Sequence, residues 1–564
     1  MLGPSGVAPG RGRERRRNAQ DRWNSRRVTG GRRARFSACA WLTLALLAAA
    51  SAPAAPAARA PRPASRGDER PPNFVVILVD DLGPGDLGSH GQAILSTPRL
   101  DAMAAGGLRL TQLYSGDASC AVSRATLLTG RHAGHSVLRG AGAVPEDSDS
   151  EPTYLARRLR LAGYATGMFG KWGLGSFDGP PGSATATAGR PDAVGFDEFL
   201  GFLTHRDAHT HALPPYPLEP GDLPIHPRFW TIVGGDTVET APARIPFVEE
   251  DVVVTALDFV TRHRGEPFFL YLPLNLPHAE YYLPDGDPSW LPFLDANGGS
   301  VFPEQAFPGN ELFRRPVPMP KATYAALVSR LDADVGRVLD HLAALELTGR
   351  TLVVFASDNG PPTDAPFNNP EFFGSAEGRR GFKWELFEGG VRVPGIASWP
   401  GRIASGRVSS EPLGLWDLFP TILELAGAAA GPDEFDGVSW VPLLDGAVPT
   451  PHDAERPLYW ETWNGIFTGQ AIRDGSLKLI RTGTADPKGP VSLFDLATDP
   501  GETNDLAANP ASCAALLQLI GRLNAARVDP PGGGYPVTPL APLCPLFRDG
   551  FESGDPVPWS DVEP

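Results

Sequence analysis

The run Asn73-Phe74-Val75-Val76-Ile77-Leu78-Val79, followed at once by Asp80-Asp81-Leu82-Gly83, sets the fold class. An apolar, largely β-branched stretch without polar alternation is the pattern of a strand covered on both faces, as in a parallel sheet between helices. A second run, Thr351-Leu352-Val353-Val354-Phe355-Ala356, ends in the same way at Ser357-Asp358-Asn359-Gly360. Open α/β sheets take their ligands beyond the carboxyl ends of their strands, so two such ends can converge on one site. Adjacent carboxylates repel one another and lose hydration there. Asp80-Asp81 therefore reads either as a solvated turn or as part of a site for a hard divalent cation with oxygen ligands.

Outward from these strands, Thr323 to Leu345 carries Leu327, Leu331, Val335, Val338, Leu339, Leu342 and Leu345 on one helical stripe suited to packing on the sheet. Leu415 to Ala426 reads as another helix. The Pro/Gly-rich segments 176–191 and 212–228, and the aromatic-rich 280–320, read as loops over the site that set substrate choice. Residues 459–507 alternate short strands and turns, as in a small antiparallel sheet. A chain of 564 residues exceeds one ordinary core. We expect a large domain over 72–450, a smaller one over 451–527 and a Gly/Pro-rich tail over 528–564.

Cys120-Ala121-Val122-Ser123-Arg124, with Leu127-Leu128-Thr129-Gly130 after it, puts a thiol and a guanidinium within one turn of a helix start. By itself this is equally a buried small residue opening a helix. It resembles, however, the signature of the type I sulfatases, in which the cysteine is oxidised to formylglycine; Val122 departs from the proline or alanine usual at the third position. Other blocks are similar to that family in the same order: Thr97-Pro98-Arg99-Leu100-Asp101, Gly170-Lys171-Trp172-Gly173-Leu174-Gly175, Asn275-Leu276-Pro277-His278-Ala279, Lys383 with Glu388-Gly389-Gly390-Val391-Arg392, and Asp499-Pro500-Gly501-Glu502. So many blocks in one order, over roughly residues 72 to 527, are hard to obtain by chance.

The resemblance implies an alkaline phosphatase-like fold: a large mixed, mostly parallel sheet sandwiched by helices, with a smaller C-terminal α+β subdomain on an antiparallel sheet. It implies that Asp80, Asp81, Asp358 and Asn359, with formylglycine at position 120, bind calcium; the same oxygen ligands admit magnesium. It also implies attack by the hydrated aldehyde on sulfur, loss of the alcohol, and release of sulfate. The residue types suit that chemistry, because negative charge builds on the sulfuryl oxygens and on the leaving oxygen. Lys171 and Lys383 would hold the sulfuryl oxygens, Arg124 orient the nucleophile and His278 protonate the leaving group. Position 120, just ahead of the helical pattern Ser123 to Thr129, would profit from unpaired amides and the helix dipole. Where many relatives keep a histidine this chain has Gly173, and His132, His205 and His209 are the candidates to replace it; His209 is also a substrate-binding candidate.

Twelve arginines against Glu14 and Asp21 give residues 1–60 a charge of +10, so a total of −15 leaves −25 for the rest. An acidic body argues against nucleic acid as a partner. Arg32, Arg33 and Arg35 ahead of the apolar stretch Phe36 to Ala50, followed by Ala-x-Ala sites, read as an export signal with an extended leader, translation starting near Val28. The stretch is too short for a stable membrane span. The expected address is periplasmic or secreted, and the expected partners are a formylglycine-generating enzyme during maturation and a sulfated small molecule or glycan as substrate. In an oxidising compartment Cys513 and Cys544 either pair or remain two free thiols. Two other readings stay open: a phosphate or phosphonate ester hydrolase of the same fold, and a non-catalytic binder of sulfated ligands with Cys120 unconverted.

Overall fold

The computed structural model describes residues 70–528, apart from 148–152, 179–184, 213–228, 234–235, 241–246, 310–315, 364–369, 429–434, 448–455, 464–466 and 484–489. The export signal, the C-terminal tail and Cys544 lie outside the described residues. Cys513 is disulfide-bonded.

Five parallel strands form the centre of one large sheet, in the order Thr351–Ser357, Asn73–Val79, Phe268–Pro273, Ala165–Lys171 and Glu198–Phe202. Antiparallel strands extend it: Arg392–Ser398 and then Leu108–Tyr114 at one side, Phe229–Val233 and then Asp236–Thr240 at the other. The Asn73–Val79 run is buried throughout, as its uninterrupted apolar character requires. Its alternate residues serve two different cores. Phe74, Val76 and Leu78 pack with the helices Cys120–Thr129, Leu155–Leu161 and Leu418–Ala426. Val75, Ile77 and Val79 pack with Pro98–Ala105, Val248–His263 and Pro320–Ala344. Each such side chain contributes about 1.5–3 kcal/mol by leaving water.

The expected helix at Thr323 to Leu345 runs over Pro320–Ala344, and Leu331, Val335, Val338 and Leu342 face the core. The helix expected from Ser123 opens three residues earlier, so Cys120 is its first residue. Two loop expectations need correction. Segment 176–191 contains the hairpin Ser176–Asp178 with Thr185–Ala188. In 280–320, Tyr281, Leu283, Phe293 and Phe307 are buried in the helix-320 core rather than free over the site, because aromatic side chains of that size gain more from packing than from lining a mouth.

A second sheet of four antiparallel strands comprises Leu458–Trp463, Phe467–Asp474, Leu477–Thr482 and Val491–Asp495. One face takes Leu516, Leu519, Ile520 and Leu523 of the helix Cys513–Ala525. Its other face, through Trp460, Ala471, Ile480 and Phe494, packs on Tyr114, Leu386, Val391 and Trp416 of the larger body.

Candidate active site

Register brings the polar strand ends together. Val79 pairs with Ser357, so Asp80-Asp81 and Asp358-Asn359 emerge side by side, and the Asp358 amide donates to the Val79 carbonyl at 3.0 Å. The neighbouring strand Phe268–Pro273 leads to His278, and the Asp80 amide donates to the Leu276 carbonyl at 3.2 Å. Lys171 is the last residue of the next strand and pairs with Phe202, after which the chain reaches His205 and His209. Lys383 arrives from the loop before the short helix Glu388–Val391. Its amide donates to the Pro361 carbonyl at 3.0 Å, and Gly360 to that of Gly390 at 2.9 Å. A Cβ on Gly360 would lie 2.0 Å from the Gly389 carbonyl oxygen, so this turn admits glycine only.

Asp80, Asp81, Arg124, Lys171, Asp358 and Asn359 are all buried. Asp80 Oδ2 is ion-paired with Lys171 and lies 3.7 Å from Arg124 Nη2. Asp81, held in the left-handed region at φ 68°, accepts from Lys383 Nζ at 2.6 Å and Asn359 Nδ2 at 2.7 Å. Its other oxygen is 3.5 Å from His278 Nε2. Asp358 Oδ2 accepts from Arg124 Nε and Nη2. Cys120 is a free thiol, 7 % exposed. The structure therefore brings together every residue singled out from the sequence as a metal ligand, cation or acid.

The charges are unevenly satisfied. Burial would raise Asp80, but Lys171, His278, Arg124 and Lys383 together hold it well below the ordinary carboxylate range. Asp81 is pushed up, because burial and Asp80 outweigh Lys383. Asp358 is pushed up to about 6 by burial and by Asp80, against Arg124. Burial, then Lys383 and Lys171, keep His278 neutral despite Asp80, and burial raises the Cys120 thiol. Asp80 Oδ1 and Asn359 Oδ1 are buried without a hydrogen-bond partner. Two orphaned oxygens beside three crowded carboxylates form a donor set that fits a hard divalent ion.

Of the three histidines considered for the place of Gly173, His209 stacks on His278 with centroids 4.8 Å apart and planes 5° from parallel. Its segment is fastened there, since the Glu280 amide donates to the His209 carbonyl at 3.1 Å and His211 Nε2 donates to that of His278 at 2.7 Å. His205 stands beyond it, centroid to centroid 6.1 Å. His132 is elsewhere: it packs on Tyr459 and Trp416 and accepts from the Gly134 amide. Gly173 has φ 73°, and a Cβ there would meet only Lys171 and Arg124 atoms at 3.8–4.0 Å, so the place of the missing side chain is open.

Local motifs did not reveal the bracing of the nucleophile loop. Ser115 accepts through its carbonyl from Trp460 Nε1 at 2.8 Å, and buried Asp117 accepts from Thr462 Oγ1 at 2.8 Å and from Ser119 Oγ. Glu388 and Glu502 share Lys478, at 2.9 and 3.0 Å, and Glu502 also accepts from the Glu388 amide at 2.6 Å. The turn Asp499-Pro500-Gly501-Glu502 thus secures the segment that carries Lys383.

Residues 72–428 match the sulfatase family, and residues 381–529 match the C-terminal region of N-sulphoglucosamine sulphohydrolase. The chain is 34% identical to arylsulfatase A of Bos taurus over 77% of its own length and 83% of that protein. It is 31% identical to N-acetylgalactosamine-6-sulfatase of Canis lupus familiaris, over 77% of the chain and 75% of the relative. Among solved structures, Ps i-CgsB in complex with k-i-k-neocarrahexaose superposes with a TM-score of 0.63 at 26% identity, over 81% of this chain and 92% of that one. With the strand-end cluster and these matches in agreement, the chain belongs to the sulfatase family of the alkaline phosphatase superfamily and is a sulfuric ester hydrolase.

Proposed function

We propose that this enzyme hydrolyses aryl or carbohydrate sulfate esters, with formylglycine at position 120 and one calcium ion, or in its place magnesium, in the oxygen cradle. The observation that carries this reading is the pair of buried, partnerless oxygens Asp80 Oδ1 and Asn359 Oδ1. The names of the relatives support the substrate classes: an arylsulfatase, an N-acetylgalactosamine-6-sulfatase, and a protein seen with a neocarrahexaose.

Asp80, Asp81, Asp358, Asn359 and position 120 would hold the ion, which supplies positive charge, while the oxidised residue supplies a hydrated aldehyde as nucleophile. Arg124, tied to Asp358 and to the Lys171 carbonyl at 2.8 Å, orients position 120 one helical turn away. The ammonium groups of Lys171 and Lys383 face the carboxylates and offset the charge that builds on sulfuryl oxygens. His278 Nδ1 donates to the Ala279 carbonyl, which leaves Nε2 as the atom facing the site. A bound ester anion raises the proton affinity of Nε2, and we assign it proton delivery to the leaving oxygen. Release of sulfate needs a base, the role of the histidine that many relatives keep where this chain has Gly173, and we assign it to His209; stacked rings of like charge repel, so one of His209 and His278 is charged at a time.

No helix among the described residues is long and apolar enough to cross a membrane. The arginine-led leader supports a periplasmic or secreted address, with a formylglycine-generating enzyme acting during maturation. The test is mass spectrometry of the peptide carrying position 120, from a host that makes the converting enzyme, together with sulfate release from 4-nitrophenyl sulfate. Formylglycine with turnover is expected. Unmodified cysteine, with a co-expressed sulfatase converted in the same cells, would overturn the reading.

A further inference from the structure

Trp384 follows Lys383 directly, yet the two are opposite in character. Lys383 is 8 % exposed, and Trp384, a large indole, is 51 % exposed. Trp384 also has φ 75°, a left-handed conformation that a residue with a Cβ adopts only at a cost and that glycine would adopt freely. Packing does not account for that cost, because half of the side chain meets no protein. The backbone is held in this state from both sides: the Trp384 amide donates to the Ala118 carbonyl at 2.8 Å, two residues before Cys120, and the Lys383 amide to that of Pro361.

The position is specific as well as strained. Lys383 Nζ is 6.0 Å from the indole centroid and 2.6 Å from Asp81. The indole therefore stands at the rim of the charged cluster, beside the Lys383 ammonium that is proposed to hold sulfate. That ammonium lies over the indole face at the outer limit of a cation–π contact.

Resting on the sulfate-site reading above, we propose that Trp384 is the platform on which the ring adjoining the scissile sulfate lies, making it a specificity-determining residue that selects ring-bearing esters. An aromatic face accepts either an aryl ring or the C–H face of a pyranose, and offers nothing comparable to a short acyclic chain.

The test uses non-hydrolysable anions on the full-length protein, so it does not depend on turnover. Binding of naphthalene-2-sulfonate, methanesulfonate and inorganic sulfate is measured by calorimetry for the wild type, Trp384→Gly and Trp384→Phe. Glycine suits the left-handed backbone, so this variant removes the ring without new strain. The wild type is expected to favour the naphthalene compound over methanesulfonate roughly tenfold. Trp384→Gly should lose most of that preference with its affinity for inorganic sulfate unchanged, and Trp384→Phe should recover much of it. An unchanged preference in Trp384→Gly overturns the platform and leaves the sulfate site intact. No binding of any of the three anions to the wild type overturns both readings.

Discussion

Arg124 and Asp358 make a fully buried two-point contact in which Nε and Nη2 both reach the same carboxylate oxygen, at 2.9 and 2.7 Å. The remaining nitrogen, Nη1, donates to the Lys171 carbonyl. One planar group thus joins the helix that begins at Cys120 to two strand ends. Removing it leaves a desolvated carboxylate uncompensated, so Arg124→Ala is expected to destabilise the protein by about 3–5 kcal/mol. Arg124→Lys keeps the charge but loses the fork, and should recover only part of that. Urea unfolding of both variants checks this; equal stability of wild type and Arg124→Ala would contradict it.

Removal of divalent ions should lower both activity and melting temperature, with calcium restoring both, because a ligand that binds only the folded state stabilises it. Asp80→Asn should abolish the calcium-dependent rise in melting temperature. A melting temperature insensitive to chelator and to calcium would count against an ion in the cradle.

The proposed acid can be recognised by its dependence on the leaving group. His278→Ala is expected to cost little with 4-nitrophenyl sulfate, whose phenolate leaves without help, and on the order of 100-fold or more with an alkyl or sugar sulfate. His209→Ala should lower both substrates to a similar extent. A uniform loss in His278→Ala would remove the leaving-group role.

Burial pushes Asp117 up to about 7 although Ser119 and Thr462 hydrogen-bond to it. Its folded value is thus above its unfolded one, so the folded state binds the proton more tightly. The stability this provides is complete below about pH 4 and is lost as pH rises through about 7. Melting temperatures across pH 5 to 8 should therefore show a falling component that is absent from Asp117→Asn. Parallel curves for the two proteins would refute the assignment.

Thr462→Val leaves one oxygen of Asp117 without its donor in a buried setting, at an expected cost of about 1–3 kcal/mol. Because Asp117 shapes the turn into Cys120, kcat should fall with it while the binding of inorganic sulfate is retained. A stable variant with unaltered kcat would show that the turn holds its shape without the second sheet.

The site was legible because most of its groups sit immediately after apolar runs whose meaning is local: Asp80 and Asp81 after Val79, Asp358 and Asn359 after Ser357, Lys171 at the end of its own strand. Their convergence follows from parallel register once those runs are strands. What was not legible depends on contacts between distant segments. The hairpin Phe229–Val233 with Asp236–Thr240 is signalled locally by Gly234-Gly235, but its place at the edge of the large sheet depends on pairing with Glu198–Phe202. The aromatic residues of 280–320 look like loop residues until the helix that buries them is in place. Trp384 has no motif at all, since a left-handed backbone at a non-glycine residue is visible only in the structure. The brace from Thr462 to Asp117 spans 345 residues and has no local trace.

That last separation also orders events in time. When the ribosome has just made Cys120, the strand that clamps the turn before it does not yet exist; at roughly 5–20 residues per second, the 345 residues from Ser115 to Trp460 take about 17–70 s to make. Once Trp460 and Thr462 are in place the turn that leads into Cys120 is clamped at Ser115 and Asp117. An outside catalyst that must draw the Cys120 segment out of the fold to act on it can therefore do so only while the chain is still nascent or unfolded, before Trp460 and Thr462 hold the turn.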